Sequence, residues 1–201
     1  MTARPLARVQ AIDPLKPSTV GLGTTLATIS RSIQPDPNEE FIAKLLGDMV
    51  DTMVAHPVCI GLSAIQINVP VAMSIVSLSR EPAHDLYVLI NPSIVSETGK
   101  KDSKFESCMS VPGFRGSVVN RTKVEVAYRD KKLNHIVRLF DGFLARAIRH
   151  EVDHCWGVMY CAKMGSGEVL HPTDLFDYPE PPNTPYTEKE ISTLTSGLGG
   201  E

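Results

Sequence analysis

Two histidines four residues apart constrain this chain more than any other feature, because they can act together only on a helix. In His150-Glu151-Val152-Asp153-His154, the i and i+4 imidazoles lie one above the other on one helical face and can grip a single metal ion. Glu151, between them, projects close enough to handle a water held by that ion. The surroundings read as helix. Leu144, Ile148 and Val152 form an i, i+4, i+8 apolar row, Asp141 follows Phe140 as a candidate N-cap, and Gly157 is a candidate stop. Five residues of this kind also arise by chance on an ordinary polar helix face, so a third ligand has to decide.

Cys108, in Glu106-Ser107-Cys108-Met109-Ser110-Val111-Pro112, offers that ligand, and Gly61-Leu62-Ser63-Ala64-Ile65-Gln66 stands upstream of both. The three pieces, in this order and roughly 40 residues apart, resemble the signature motifs of the peptide deformylases. That family's patterns run Gly-apolar-(Ala/Ser)-Ala-X-Gln, then Glu-Gly-Cys-Leu-Ser, then Gln-His-Glu-X-Asp-His. The likeness extends to Ile90-Asn91-Pro92-Ser93-Ile94-Val95, to Val111-Pro112-Gly113-Phe114-Arg115-Gly116 and to Gly142-Phe143-Leu144-Ala145-Arg146, and covers about residues 38 to 164. A lone HExxH is weakly specific; three motifs in order are not.

The chemistry can be argued from the residues themselves. One thiolate and two neutral imidazoles leave the fourth tetrahedral position for water, as a catalytic rather than a structural metal requires. A metal there brings the pKa of water to roughly 7. Glu151 can then take the water proton and later pass it to a departing amine. The resemblance implies more. Acyl transfer needs donors aimed at the oxygen that turns anionic, and by likeness these are the Gln66 side-chain amide and the Met109 backbone N–H. Without its motif, Gln66 would read as a surface loop residue. Gly61 would let the backbone approach a peptide that pairs as an added strand, with Ile60 and Arg115 assigned to the same substrate cleft. Glu106 and Arg146 match a family pair that ties the cysteine loop to the metal helix. Asp153 reads either as a carboxylate fixing a neighbour's orientation or as a solvated helix-face residue.

The family's reaction would follow: removal of the N-formyl group from the N-terminal Met of nascent chains, releasing formate. The implied cofactor is one divalent ion per chain, natively Fe2+, with Ni2+, Co2+ or Zn2+ able to use the same ligands. The implied partners are N-formyl-Met nascent peptides and, transiently, the ribosome. Several positions depart from the pattern. Ile65 stands where Pro is frequent, Ser107 replaces Gly, Met109 replaces Leu, Arg149 replaces Gln, Cys155 replaces Leu, and Asn120 stands where Arg is common. Cys59-Ile60-Gly61-Leu62-Ser63-Ala64 is similar to organellar members. None removes a ligand, the base or an oxyanion donor; they bear on rate and specificity. Cys155, turned about 100° from His154, reads as core packing. Three other functions compete: a zinc endopeptidase using Glu168 or His171 as third ligand, a paralogue acting on a non-ribosomal N-formyl substrate, and a non-catalytic binding protein.

A chain of 201 residues is ordinarily one domain with a substantial core. A net charge of -3 without a Lys/Arg stripe gives no nucleic-acid footprint, and no apolar run is long enough to span a bilayer. Cysteine spacing and the lack of a signal-peptide pattern favour a reducing compartment, which is the cytoplasm, or a mitochondrion or plastid if the leader is a transit segment. The expected organisation is a leader over residues 1–24, a catalytic domain over 25–164, and a loose Pro/Gly-rich tail over 165–201. A helix should follow Asn38, carrying Phe41, Leu45, Met49 and Met53 in one stripe to about Ala55. Strands are expected at Val71 to Leu78, Tyr87 to Asn91, Lys104 to Cys108, Val124 to Arg129 and His135 to Leu139, with a turn at Asp130-Lys131-Lys132-Leu133. A short strand is expected near Val158-Met159-Tyr160. The class is α+β: a mixed or antiparallel sheet wrapped around one central metal-binding helix.

Overall fold

The structure, a computed structural model, describes residues 25–34, 37–56, 58–79 and 81–174. Helix α1 spans Glu39–Ala55 and starts where the Asn38 side chain accepts the Phe41 N–H at 3.1 Å, a cap that satisfies one of the orphan donors of the first turn. Its predicted stripe, Phe41, Leu45, Met49 and Met53, is buried against Leu62, Ile67 and Ile75 in one core cluster. Each such side chain is worth roughly 1.5–3 kcal/mol of burial.

Strands β1 (Gly61–Ser63), β2 (Met73–Val76), β3 (Tyr87–Ser107), β4 (Phe114–Arg129) and β5 (His135–Asp141) pair in sequence order, every pairing antiparallel. A short helix α2, Pro82–Asp85, links β2 to β3. A sixth strand, β6 (His171–Pro172), pairs with Phe114 and Arg115 at the start of β4. Val124, Val126 and Tyr128 are buried and alternate with more exposed neighbours, the period of a half-buried strand. The turn at Asp130 also forms, its carboxylate accepting the N–H groups of Lys132 at 2.8 Å and Asn134 at 3.0 Å.

Helix α3, Gly142–Cys155, is capped by the Asp141 side chain, which accepts the Gly142 N–H at 2.7 Å, and it ends before Gly157 at φ 71°. It packs against strands from β1 at one end of the sheet to β5 at the other. The sheet therefore curls around it, and Ile148 and Val152 are fully buried. This is the expected α+β class, with the sheet antiparallel.

Four expectations on elements are corrected, the first being that the strand expected at Val124 to Arg129 begins at Phe114, because its first half pairs with the far arm of β3. The strands expected at Tyr87 to Asn91 and Lys104 to Cys108 are the two ends of one 21-residue strand that stops at Ser107, one residue before Cys108, and is bent by register shifts between Ile90 and Ser93, Ile94 and Ser96, and Thr98 and Lys101. The strand expected at Val71 to Leu78 is trimmed to Met73–Val76. No strand forms at Val158-Met159-Tyr160; Tyr160–Lys163 is a 3₁₀ turn, and the apolar run reflects packing of Met159 and Tyr160 against Ile65 and Val118. Of the expected tail, residues 165–174 are described and supply β6. The leader and residues 175–201 lie outside the described residues.

Candidate active site

Helix α3 presents His150, Glu151 and His154, and the turn closing β3 presents Cys108. The Ser110 N–H lies 3.4 Å from Cys108 Sγ and the Val111 N–H donates to the Cys108 carbonyl at 2.9 Å, so the loop folds back over its own thiol. Cys108 Sγ lies 3.3 Å from His154 Nε2. The ligand atoms of Cys108, His150 and His154 all fall within 4.8 Å of one another. One sulfur and two imidazole nitrogens converging so closely, with space on the cleft side, fit a single divalent ion with an open position.

The two imidazoles are held differently. His150 Nδ1 shares a hydrogen with Glu106 Oε2 at 2.9 Å, which leaves Nε2 for the metal. Glu106 Oε1 receives Arg146 Nη1 at 2.6 Å and Asn120 Nδ2 at 2.7 Å, and Arg146 continues to the carbonyls of Val118 and Asp102. Glu106 and Arg146 thus tie the cysteine segment to α3 and also fix a ligand ring. Burial works against the Glu106 carboxylate, yet the His150 and Arg146 contacts hold it below its ordinary value. Burial also opposes a charged His150, but its hydrogen bonds to Cys108 and Glu106 hold it well above the usual histidine range. His154 is fully buried, and its Nδ1 has no hydrogen-bond partner among the described residues. Burial and the neighbouring charge of His150 push it well below its ordinary value.

Glu151 faces the cleft between these ligands. A Cβ on Gly61 would stand 2.6 Å from its Oε1, so the glycine makes room for the carboxylate itself as well as for any approaching chain. The other oxygen, Oε2, lies 2.8 Å from Ser63 Oγ. Burial pushes the Glu151 carboxyl up to about 7, against the lowering effect of His150 and Ser63. Gln66 sits in the 3₁₀ turn Ala64–Ile67. Its Oε1 accepts the Ser63 N–H at 2.8 Å, which turns Nε2 toward Cys108 Sγ at 3.5 Å and Ser110 Oγ at 3.1 Å. The amide hydrogens therefore face the ligand cluster.

These groups floor a cleft of about 290 Å³, with Gly61, Gln66, Cys108, Met109, His150 and Glu151 below and Val58, Ile60, Phe105 and Phe143 as apolar walls. Not every predicted residue joins it. Arg115 is exposed outside the lining, its guanidinium 4.8 Å from the Phe105 ring centroid. Asp153 pairs with Lys163 and lies 3.7 Å from Arg149 Nε, on the side of α3 that faces these two cations. Glu168 and His171 are exposed, and His171 packs edge-on to Phe105 at 5.2 Å. Among the described residues, Cys108, His150 and His154 form the one cluster suited to a metal, and neither endopeptidase candidate enters it.

Sequence reasoning missed several contacts. Asn120, noted only as a departure, is a partner of Glu106; its signal was that it continues the inward-facing row of Val118 on β4, where a buried amide needs a partner. Ser74 carries no signal in the sequence, and Cys155, read there as core packing, is indeed buried but also lies 3.2 Å from the Ser74 hydroxyl beside Glu151. Tyr160 stacks on His150 with centroids 6.1 Å apart; nothing local announces that contact.

A thiolate-and-imidazole metal cluster beside a buried carboxyl, at the floor of an apolar cleft, defines a metallohydrolase. The family model described as polypeptide deformylase matches residues 20–169. The chain belongs to that family. It is 38% identical over 146 residues to a peptide deformylase of Helicobacter pylori, covering 69% of this chain and 80% of that protein. To a peptide deformylase of Chloroflexus aggregans it is 36% identical over 144 residues, 65% of this chain and 74% of the relative. Among solved structures, a peptide deformylase from Legionella pneumophila is similar at a TM-score of 0.68 and 28% identity, covering 80% of this chain and 87% of that one.

Proposed function

We propose that Glu151 is the proton carrier of this hydrolase, that Gln66 and Met109 stabilise the developing oxyanion, and that Fe2+ is the native ion. The reaction is hydrolysis of the N-formyl group on the N-terminal Met of nascent polypeptides, with release of formate. A divalent ion held by Cys108, His150 and His154 would supply Lewis acidity to a water and to the formyl oxygen. Glu151 takes a proton from the attacking water at the oxygen that faces the cleft and delivers it to the amine nitrogen as the C–N bond breaks. The Gln66 amide donates to the formyl oxygen as it gains charge, together with the N–H of Met109. Val58, Ile60, Phe105 and Phe143 take up the Met side chain and exclude water. Gly61 and Ile60 accept the peptide backbone alongside β1, and Arg115 meets the chain beyond the cleft.

The observation that carries this reading is the meeting of the three ligand atoms, the Glu151 carboxyl and the Gln66 amide in one cleft. Formate release from formyl-Met-Ala-Ser tests it, using protein loaded anaerobically with Fe2+ or Ni2+. The expected kcat/KM is about 10^4 M⁻¹s⁻¹ or more; no turnover with one metal bound per chain would overturn it. Fe2+ beside a thiolate is oxygen-sensitive, so Fe2+ protein should lose activity in air faster than Ni2+ protein, and equal decay would count against Fe2+. We place the enzyme in the cytoplasm with transient ribosome contact, which co-sedimentation with translating ribosomes would test.

A further inference from the structure

Behind the catalytic carboxylate lies a row of three small polar side chains that the reaction as described does not use. Ser63 Oγ is 2.8 Å from Glu151 Oε2, Ser74 Oγ is 2.8 Å from Ser63 Oγ, and Cys155 Sγ is 3.2 Å from Ser74 Oγ. Ser63 and Ser74 are wholly buried, and Cys155 is 3% exposed. They come from three elements: β1, the facing residue of β2, and the last turn of α3.

The hydrogens in this row can be assigned by counting. The single Ser63 hydrogen has two acceptors in reach, Glu151 Oε2 at 2.8 Å and the Glu151 carbonyl at 2.9 Å. In its proton-accepting form the carboxylate only accepts, and the carbonyl already belongs to the helix ladder, so the hydrogen points to Oε2. Ser63 Oγ then accepts, and Ser74 is the hydroxyl beside it that can donate. Ser74 also lies 3.1 Å from the Glu151 carbonyl. That is the longer option, and this carbonyl already belongs to the helix ladder. With its hydrogen committed to Ser63, Ser74 has lone pairs left for the Cys155 S–H.

We propose that Cys155, Ser74 and Ser63 form a buried chain of donors, S–H to O–H to O–H to carboxylate, that positions Glu151 by one oxygen and leaves the other facing the cleft. No proton travels along it. Each donor polarises the next, so the bond at Oε2 is stronger than an isolated serine would give. The free oxygen is the one that packs over Gly61. Within the family pattern given above, Cys155 stands in place of an apolar residue and Ser63 is the hydroxyl-bearing one of two alternatives. The inference rests on Glu151 as the proton carrier. Ser63, Ser74 and Cys155 are positioning residues and touch no substrate.

Four variants test it, each compared with wild type at one bound metal per chain. Glu151→Gln should abolish turnover. Ser63→Ala should lower kcat roughly ten- to hundredfold with KM and metal content unchanged, Ser74→Ala less, and Cys155→Ala least. Infrared spectroscopy supplies a readout independent of turnover. The S–H stretch that disappears in Cys155→Ala should rise in frequency in Ser74→Ala, where the thiol has lost its acceptor, and shift by less in Ser63→Ala. Active Glu151→Gln would remove the reading on which the inference rests. An inactive Glu151→Gln with wild-type kcat in Ser63→Ala would overturn the positioning chain alone. So would an S–H stretch that does not move in Ser74→Ala, and so would kcat losses that follow melting temperature rather than position in the row.

Discussion

His150 and Glu151 are neighbours in sequence, yet the two halves of the site hold them by opposite means. The ligand half is ionic: Glu106 grips His150 and is itself gripped by Arg146 and Asn120. The base half is neutral, with the carboxylate of Glu151 resting on the Ser63 hydroxyl and, behind it, on Ser74 and Cys155. The difference fits the roles proposed for the two residues. A metal ligand keeps one protonation state through turnover, so a fixed charge beside it is an asset. A proton carrier changes charge twice per cycle, and a full counter-ion would lock it in one form. Neutral donors orient it without that penalty.

Cys108→Ala removes the group that both halves serve and should have the largest effect. Metal content should fall well below one ion per chain, and the loss of affinity should exceed the roughly 10–100-fold that removal of an outer partner costs. Elemental analysis after gel filtration, with turnover, checks this. Full metal occupancy in the variant would revive a ligand set without Cys108.

Glu106→Ala comes next. It strands the buried Arg146 guanidinium and frees the His150 ring, so stability should drop by roughly 3–5 kcal/mol and metal affinity roughly 10–100-fold. Acid unfolding sharpens the same point. Glu106 ionises below its ordinary 4.5 in the folded chain, so its stabilisation is complete above that value and drains as pH falls through the folded pKa. Glu106→Gln should therefore show a shallower loss of stability below pH 4.5 than wild type. Equal slopes would mean that this carboxylate does not carry the acid sensitivity.

These contacts also mark the limits of what the sequence made legible. The metal helix, its Asp141 cap and stop, and the Cys108 and Gln66 segments could all be read, because caps, periodicity and motif spacing act over a few residues. Glu106 meets His150 across 44 residues, and Ser74 meets Cys155 across 81. No local rule reaches that far. The long β3 was read as two strands for a related reason. Between Val95 and Lys104 its side chains are mostly exposed, so the apolar alternation that reveals a strand is missing there. Its partner β4 pairs with it all the same, and only tertiary pairing makes that arm a strand. Val158-Met159-Tyr160 failed in the opposite sense: an apolar run buried in the core looks alike as strand or turn.

Gly61→Ala tests the base half from the cleft side. The added methyl would stand 2.6 Å from Glu151 Oε1, so either the carboxylate or β1 must shift, at roughly 1–3 kcal/mol of overpacking. Because the ligand half is untouched, metal content should stay at one per chain while kcat falls. Loss of metal instead would show that the two halves move as a unit, and the contrast between them would fail.

Arg149→Gln should do least, and its smallness is informative. Arg149 replaces a Gln of the family pattern; it pairs with Glu97 on β3 and lies 3.7 Å from Asp153. It sits one residue before His150, yet it belongs to neither half. The Glu97 side chain is 32% exposed, and Asp153 keeps Lys163, so neither carboxylate is left both buried and unpaired. A partly exposed pair of this kind is worth roughly 0–1 kcal/mol. Chemical denaturation should show a change within that range, with metal content and kcat unchanged. A loss comparable to that of Glu106→Ala would mean that the ionic network around His150 reaches one turn further along α3 than its contacts describe, and the ligand half would have to be redrawn to include the β3 arm.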